Sequence, residues 1–264
     1  MLNIEEEINK DRRGFIKKVL GGAIAGSLLL VIPLRAKEYT ERIPGMQEED
    51  SVFTQKNFVF VVDITACIGC GSCCIADKAE YQVPDGYYRT WVERYIIDDH
   101  DKVYVDSPDG GLGGYVQPRE GLPNLIRDTF FVPKLCNMCK KPSCVQVCPV
   151  GATYQTEDGF VLVDKTRCVG CSYCVQACPY SVRFISPVSH TAEKCTWCYH
   201  RVRKGLLPAC VSVCPTGARK FGDLDDPESE VWKLLHQPHV ISVLKPDMGN
   251  EPALHYLGLR REVV

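Results

Sequence analysis

Cys168-Val-Gly-Cys171-Ser-Tyr-Cys174-Val-Gln-Ala-Cys178-Pro179 is the stretch of sequence that decides the fold. Three thiolates that lie two residues apart can all face one cubane iron–sulfur cluster, because a short loop turns back on itself. The fourth thiolate, before proline, binds a second cluster in chains that carry two of them. Zinc sites use paired C-x2-C units separated by a longer spacer. The motif therefore predicts clusters and a partner quartet that exchanges its last ligand.

Three further cysteine groups can supply such partners. They are Cys136-x2-Cys139-x4-Cys144-x3-Cys148-Pro149, Cys195-x2-Cys198-x11-Cys210-x3-Cys214-Pro215 and Cys67-x2-Cys70-x2-Cys73, with Cys74 beside it. Together the four groups use all sixteen cysteines.

Internal repeats indicate the fold class. Val62–Cys70 matches Val163–Cys171, and Cys148-Pro-Val-Gly-Ala152 matches Cys214-Pro-Thr-Gly-Ala218. A strand, a cysteine loop, a short helix, a cysteine–proline turn and a second strand form one ferredoxin unit. We therefore predict an α+β fold of two intertwined bacterial-ferredoxin-like modules of the eight-iron type, with a hairpin and loop insertion and a C-terminal extension.

The segments are assigned from composition and pattern. Residues 1–36 are predicted to be an export signal or anchor, 37–57 a linker, 58–80 and 187–223 the first module, 81–130 the insertion, 131–186 the second module and 224–264 the extension. The predicted elements are a buried strand at Phe58–Val62, a hairpin of Trp91–Ile97 and Lys102–Asp106, a flexible surface loop at Ser107–Gly114, a helix capped by Asp226, and strands at Val240–Leu244 and Ala253–Leu257.

The N-terminus predicts export. Arg12-Arg13 and Phe15 precede the apolar run Val19–Leu34, a pattern typical of a twin-arginine signal. At ~16 residues the run is shorter than the ~20 that usually span a bilayer, which favours a signal over a membrane anchor. The poor cleavage pattern around Ala36 favours a retained tether. We therefore predict a periplasmic or extracytoplasmic location.

Export raises the alternative that the cysteines form disulfides. We expect clusters instead, because disulfide frameworks do not impose the ferredoxin spacing and the twin-arginine route carries proteins that are already folded. Three aromatic residues beside the cysteines, Tyr173, Tyr180 and Trp197, are predicted to shield clusters from water. The net charge of −2 gives no indication of nucleic-acid binding.

These quartets, their x4 and x11 spacings and the export pattern resemble the iron–sulfur (beta) subunits of DMSO-reductase-family complexes. That family includes polysulfide and tetrathionate reductases and the nitrite-reduction iron–sulfur protein. The resemblance covers about Phe58 to Asp223 and includes Glu193-Lys-Cys-Thr-Trp-Cys198 and Gly205-Leu-Leu-Pro-Ala-Cys210.

The resemblance implies how the cysteines share four clusters. One cluster would be held by Cys67, Cys70, Cys73 and Cys214, a second by Cys136, Cys139, Cys144 and Cys178, and a third by Cys168, Cys171, Cys174 and Cys148. The fourth would be held by Cys195, Cys198, Cys210 and the last ligand of the first quartet. That position is Asp77 and not cysteine.

Asp77 leaves several alternatives open for the fourth cluster. A helical turn after Cys73 would place both residues on one face. The carboxylate could bind iron, it could leave a three-iron centre, or Cys74 could replace it. The remaining alternative is a solvated Asp77 and a buried free Cys74 thiol. We favour a modified cluster, either bound by Asp77 or left with three irons, over ligation by Cys74, because one helical turn is ~5.4 Å and metal–ligand bonds do not tolerate such a displacement. The expected cofactors are three [4Fe–4S] clusters plus a fourth that is [4Fe–4S] or [3Fe–4S].

The resemblance also implies an electron-transfer subunit without a substrate site of its own. Its expected partners are a molybdopterin-containing catalytic subunit and an integral-membrane quinone-reactive subunit. One alternative is a free-standing polyferredoxin that serves a multihaem cytochrome or a hydrogenase. Another is a structural zinc protein, against which the cysteine–proline turns argue.

Overall fold

The structure, a computed structural model, describes residues 56–116, 121, 125–237 and 241–263. The predicted signal 1–36 and nearly all of the predicted linker 37–57 lie outside these ranges. Within the described part of the chain, no helix combines the length and the apolar character needed to cross a bilayer. The fold is α+β, as predicted.

Eleven strands and six helices make up the described ranges. The strands are β1 Phe58–Asp63, β2 Trp91–Asp98, β3 Val103–Asp106, β4 Ile126–Lys134, β5 Thr153–Gln155, β6 Val161–Val163, β7 Arg183–Ile185, β8 Ala192–Lys194, β9 Arg219–Asp223, β10 Ile241–Ser242 and β11 Leu254–Leu257. The helices are α1 Ser72–Tyr81, α2 Ser143–Gln146, α3 Tyr173–Gln176, α4 Tyr199–Val202, α5 Ala209–Ser212 and α6 Glu230–Leu235, with 3-10 turns at Pro108–Gly111 and Pro246–Met248.

β1 is a central strand of the main sheet, whose order is β10-β11-β1-β9. It pairs antiparallel with β9, where Phe60 lies opposite Phe221, and parallel with β11, where Phe60 lies opposite Leu254. The side chains from Phe58 to Val62 are all buried. A strand that is covered on both faces needs apolar residues at every position. The predicted strand is therefore confirmed.

The insertion contains a three-stranded sheet of order β3-β2-β4. β2 and β3 form the predicted hairpin, which is confirmed. Its turn is closed by Asp98, whose carboxylate accepts the backbone N–H groups of His100 and Lys102, each at 2.9 Å. β4 pairs with the other edge of β2 and ends two residues before Cys136.

The glycine-rich stretch Ser107–Gly114 differs from the predicted surface loop. Gly110 and Gly111 are buried in its middle. A Cβ atom on Gly110 would lie 2.4 Å from the ring of Tyr88, and one on Gly111 would lie 3.2 Å from Val92. Glycine is needed here because the backbone itself packs against these side chains. The expectation of a flexible surface loop was wrong at this point.

The C-terminal helix begins later than predicted. α6 starts at Glu230, directly after Ser229. Asp226 instead builds a turn ahead of the helix: its carboxylate accepts the N–H of Glu228 at 2.9 Å, and its carbonyl accepts the N–H of Ser229 at 3.0 Å. The two predicted strands of the extension are present in shorter form as β10 and β11.

Two short hairpins, β5–β6 and β7–β8, complete the described sheets. The predicted module limit between residues 130 and 131 falls within β4, and the limit between 186 and 187 falls in the turn of the β7–β8 hairpin. The module limits stay predictions.

Candidate iron–sulfur sites

The sixteen cysteines are all free thiols, and fifteen of them fall into four sets that are named here for reference. Set A is Cys67, Cys70, Cys73 and Cys214; set B is Cys195, Cys198 and Cys210; set C is Cys136, Cys139, Cys144 and Cys178; set D is Cys148, Cys168, Cys171 and Cys174. The remaining cysteine is Cys74.

The cysteine loops of sets A and D open with the same turn. Oδ1 of Asp63 accepts the N–H and the hydroxyl of Thr65 at 2.9 and 2.6 Å. Oδ1 of Asp164 accepts the same two groups of Thr166 at 2.8 and 2.6 Å. The repeated Asp-x-Thr sequence thus forms an Asx turn that directs each strand into its cysteine loop.

The structure brings the four thiols of set D to one cavity, which they line together. Two backbone amides donate to their sulfur atoms. The N–H of Thr153 lies 3.4 Å from Sγ of Cys148, and the N–H of Ala192 lies 3.3 Å from Sγ of Cys168. These amides hold the thiols in place and favour negative charge on sulfur.

The thiols of set C also lie together. Burial raises the pKa of Cys139 to about 12, and the sulfur atoms that raise it further belong to the other three members of the set. The guanidinium of Arg183 donates to Sγ of Cys144 at 3.1 Å. Set C therefore combines four adjacent thiols with a buried positive charge.

Set A joins the first cysteine loop to the turn before β9. Burial raises the pKa of Cys67 to about 11, and the nearby sulfur atoms of Cys73 and Cys214 act in the same direction. The fourth member, Cys70, lies in the same loop as Cys67 and is exposed.

Set B is the most buried of the four, since all three of its thiols are buried. Burial raises the pKa of Cys195 to about 12 and that of Cys210 well above its usual range. The N–H of Trp197 donates to Sγ of Cys195, and the N–H of Ala209 donates to Sγ of Cys198, both at 3.4 Å.

Asp77 is placed beside set B. It lies in α1 and is only 5% exposed. Burial raises its pKa to about 6, although the positive charges of Arg89 and Arg219 oppose the shift. Its own charge raises the pKa of both Cys195 and Cys198. Among the described residues, the Asp77 carboxylate has no hydrogen-bond donor, and this buried acid lies near the buried thiols of Cys195 and Cys198.

Cys74 is directed elsewhere. Its thiol donates to the carbonyl oxygen of Gly110 at 3.4 Å, in the buried part of the glycine-rich loop. Its Sγ lies 3.9 Å from that of Cys73, and this contact lowers the pKa of Cys73 to about 6 and raises that of Cys74.

The chain is similar to known iron–sulfur proteins. Residues 127–224 match the family model of the 4Fe-4S dicluster domain. The protein is 41% identical over 253 residues to the B subunit of tetrathionate reductase from Salmonella typhimurium, and the match covers 96% of this protein and 90% of the relative. The protein belongs to the iron–sulfur B subunits of DMSO-reductase-family complexes.

Two further relatives support the same family. The corresponding subunit of polysulfide reductase from Wolinella succinogenes is 35% identical over 207 residues, covering 78% of this protein and 96% of the relative. The thiosulfate reductase electron transfer subunit PhsB of Salmonella typhi is 40% identical over 176 residues, covering 66% of this protein and 80% of the relative. The predicted resemblance is confirmed, and this iron–sulfur subunit is an electron-transfer subunit and not a catalytic one.

The donor groups of the protein fit iron–sulfur clusters. Thiolates are the usual ligands of such clusters, and hydrogen bonds to sulfur help to set their potentials. Sets B, C and D all receive hydrogen bonds from backbone amides or a guanidinium. Within the described ranges, no group of three or more His, Cys, Asp or Glu side chains is arranged to hold a single metal ion.

Sequence reasoning missed four buried cations that lie near the cysteine sets. They are Arg89, Arg183, Lys194 and Arg219. Lys194 donates to the carbonyl of Cys195 at 2.8 Å, and burial lowers its pKa while the sulfurs of Cys136 and Cys195 raise it. A signal for two of these cations was present, since Arg183 and Arg219 each follow the cysteine of a Cys-Pro pair by five residues.

The predicted aromatic shield is present in part. Trp197 and Tyr180 are buried, and the indole N–H of Trp197 donates to the carbonyl of Cys136 at 2.8 Å. Tyr173 is 57% exposed and shields nothing. The prediction for Tyr173 was wrong, because its position at the start of α3 directs it away from the core.

Proposed function

We propose that this protein carries four iron–sulfur clusters in a row and passes electrons between a molybdopterin-containing catalytic subunit and an integral-membrane quinone-reactive subunit. The proposed location is the periplasmic or extracytoplasmic face of the membrane. The observation that carries the proposal is the succession of the four cysteine sets, in the order A, B, C, D.

The contacts of set B support the first part of this order. Cys73 of set A raises the pKa of Cys210 in set B, so the two sets are neighbours. Cys136 of set C raises the pKa of Cys195, so set C is the other neighbour of set B. Set B thus lies between sets A and C.

The contacts of Arg183 support the last step of the order. The positive charge of this guanidinium is stabilised by thiols of set C and by Cys174 of set D.

The two end sets each have one exposed thiol, Cys70 in set A and Cys171 in set D. The exposed neighbours Ile68 and Val169 occupy equivalent positions in the two loops. The two ends of the row are therefore the places where electrons can enter and leave.

The proposed ligands are the members of the four sets, with Asp77 as the fourth residue of set B. Bound clusters would supply one-electron transfer. The protein's own residues hold each cluster through thiolates, exclude water around sets B and C by burial, and stabilise negative charge through amides and buried cations. We propose three [4Fe–4S] clusters and a fourth that is [4Fe–4S] or [3Fe–4S].

Two further features support the assembly and its location. The relatives are named as parts of tetrathionate, polysulfide and thiosulfate reductases, which implies a catalytic partner. The twin-arginine pattern at Arg12-Arg13 favours export of the folded protein. The internal repeats and the paired Asx turns support two ferredoxin-like modules.

Iron and sulfide analysis of anaerobically purified protein tests the number of clusters. We expect about sixteen irons per chain, or about fifteen when the set B cluster has three. About twelve irons or fewer would overturn the four-cluster proposal, because three cubanes supply that many. Zinc in a colourless preparation would overturn cluster binding altogether.

Affinity purification from native membranes tests the partners. We expect a molybdopterin-containing protein and an integral-membrane protein to be recovered in fixed proportion with the tagged protein. Recovery of a multihaem cytochrome or a hydrogenase in their place would favour a free-standing polyferredoxin.

A further inference from the structure

Two buried arginines follow Cys-Pro pairs at the same spacing. Arg183 follows Cys178-Pro179 and is the first residue of β7, and Arg219 follows Cys214-Pro215 and is the first residue of β9. Arg183 is 4% exposed and Arg219 is 2% exposed. A guanidinium keeps its charge in proteins, so β7 and β9 each begin with a permanent buried cation.

Arg219 lies between sets A and B. Its charge is stabilised by Cys67 and Cys73 of set A and by Cys210 of set B. One nitrogen, Nη2, donates to the hydroxyl of Thr90 at 2.9 Å. Nε and Nη1 are buried and have no hydrogen-bond partner among the described residues.

Thr90 holds this guanidinium in place. Its hydroxyl donates to the carbonyl of Lys134 at 2.7 Å and so presents its oxygen to Arg219. No carboxylate forms an ion pair with Arg219 in the described ranges. The positive charge therefore faces the sulfur atoms of both sets and, without a hydrogen bond, the buried carboxylate of Asp77.

Arg183 lies between sets C and D in the same manner. Nη2 donates to Sγ of Cys144 at 3.1 Å, and Nη1 lies 3.3 Å from the hydroxyl oxygen of Thr153. Its charge is stabilised by further thiols of set C and by Cys174 of set D. Nε is buried without a partner among the described residues. A threonine again fixes the guanidinium, and sulfur again faces it.

We propose that Arg219 and Arg183 set the potentials of the clusters in pairs, Arg219 for sets A and B and Arg183 for sets C and D. This inference rests on the proposed four-cluster function. Reduction adds negative charge to a cluster, and a buried positive charge nearby favours the reduced form because the low-dielectric interior screens it weakly. Each arginine therefore raises the reduction potentials of both clusters that it faces and keeps neighbouring steps close in potential.

The test is an anaerobic redox titration of the full-length protein, followed by electron paramagnetic resonance. We expect Arg219→Gln to lower two of the four midpoint potentials and Arg183→Gln to lower the other two. Arg219→Lys and Arg183→Lys retain the charge and should lower the same pairs by less. Arg94→Gln is the matched control, because Arg94 is buried but pairs with Asp106 at 2.6 Å, and it should leave all four potentials unchanged.

Several results would overturn the inference. One is unchanged potentials in a glutamine variant that keeps its full iron content. Another is that both glutamine variants shift the same two potentials. If a glutamine variant loses iron, the lysine variant decides, and a lysine variant with full iron that shifts potentials outside the pair assigned to its arginine would overturn the inference. The iron content of the wild-type protein separates the two proposals. Twelve irons or fewer would contradict the four-cluster proposal, whereas the midpoint potentials of the variants test the effect of the arginines.

Discussion

The cysteine loops of sets A and D have the same spacing and the same opening turn, yet they end differently. In set D, α3 stops at Gln176, and Cys178 follows with Pro179. In set A, α1 continues for ten residues through Asp77 to Tyr81. Proline cannot continue a helix and disfavours helical geometry in the residue before it. Without a proline at position 78, α1 continues, and Asp77 lies within a helix where the other loop has a turn.

The two loops also differ in what covers them. The glycine-rich loop packs over the first, so a Cβ atom on Gly71 would lie 2.3 Å from the carbonyl oxygen of Gly111. The equivalent residue in the other loop is Ser172, which has nearly the same left-handed backbone, with φ of 66° against 77°. The comparison shows that the repeat preserves the backbone geometry of both cysteine loops, whereas the insertion determines which of the two loops is buried.

The largest expected effect is on the cluster of set B. We expect Asp77→Cys to give a [4Fe–4S] cluster, because the new thiolate would hold the fourth iron firmly. Asp77→Ala should give a [3Fe–4S] signal in the oxidised protein, because that iron would lack a ligand. Electron paramagnetic resonance and iron analysis measure both. Cys178→Ala is the matched change in the other half and should produce a three-iron centre in set C. If Cys74→Ser removes a cluster while Asp77→Ala changes nothing, Asp77 is not the ligand.

The next effect follows from placing a proline after Asp77, as in the other half. Lys78→Pro should destabilise the protein by about 3 kcal/mol or more, because it removes a hydrogen bond within α1 and clashes with the preceding turn. Thermal unfolding of the cluster-loaded protein under argon measures it. Lys78→Ala is the control and loses only an ion pair with exposed Asp85 and a cation–π contact with Tyr88. Equal unfolding temperatures for the two variants would show that the stability of the protein does not depend on the part of α1 that follows Asp77.

A smaller effect is expected from exchanging the residues at the equivalent loop positions. Gly71→Ser should cost about 2 kcal/mol or more, because a side chain in the left-handed region also collides with backbone. Ser172→Gly should stay within about 0.5 kcal/mol of the wild type. Denaturant unfolding under anaerobic conditions compares the two variants. Similar losses in the free energy of unfolding would contradict the conclusion that only the first cysteine loop is covered by the glycine-rich loop.

The smallest effect concerns His255 in β11, the strand that pairs in parallel with β1. Burial lowers the pKa of His255 below 6.5, with help from the charge of Lys140. The unfolded protein therefore binds a proton at His255 more readily than the folded protein does. The free energy of unfolding is highest above pH 6.5 and falls as the pH drops from 6.5 to the lower pKa of the folded state. A shift of one pKa unit corresponds to about 1.4 kcal/mol.

His255→Gln should therefore flatten the stability curve between neutral and mildly acidic pH, as measured by thermal unfolding in a pH series. His100→Gln is the control, because His100 lies in the exposed turn of the hairpin. A slope that is unchanged by His255→Gln would contradict the assignment.

Local patterns predict the cysteine quartets and the elements beside them, and the resemblance to the family implies how the quartets share their ligands. The spacing of Cys168–Pro179 restricts which thiols can meet, and the apolar run of β1 can only be a covered strand. The position of Asp77 beside set B was also expected, because a helical turn after Cys73 fixes it.

Tertiary contacts decided what the sequence did not reveal. Gly110 is buried because Tyr88, far from it along the chain, packs on its backbone. Arg219 is a charged residue in a strand, and charged side chains are normally expected at the surface. Its burial becomes understandable only when the sulfurs of sets A and B are seen around it.

The pairing of β1 with β9 and β11 has a consequence for how a nascent polypeptide acquires its iron. All four thiols of set D lie between residues 148 and 174, whereas set A needs Cys214, and β1 needs strands near the C-terminus. Contacts between residues that are close along the chain form earlier, because closing a short loop costs less entropy. During synthesis the ligands of set D are therefore complete at residue 174, whereas set A, whose first cysteine lies nearest the N-terminus, still waits for its last ligand at residue 214.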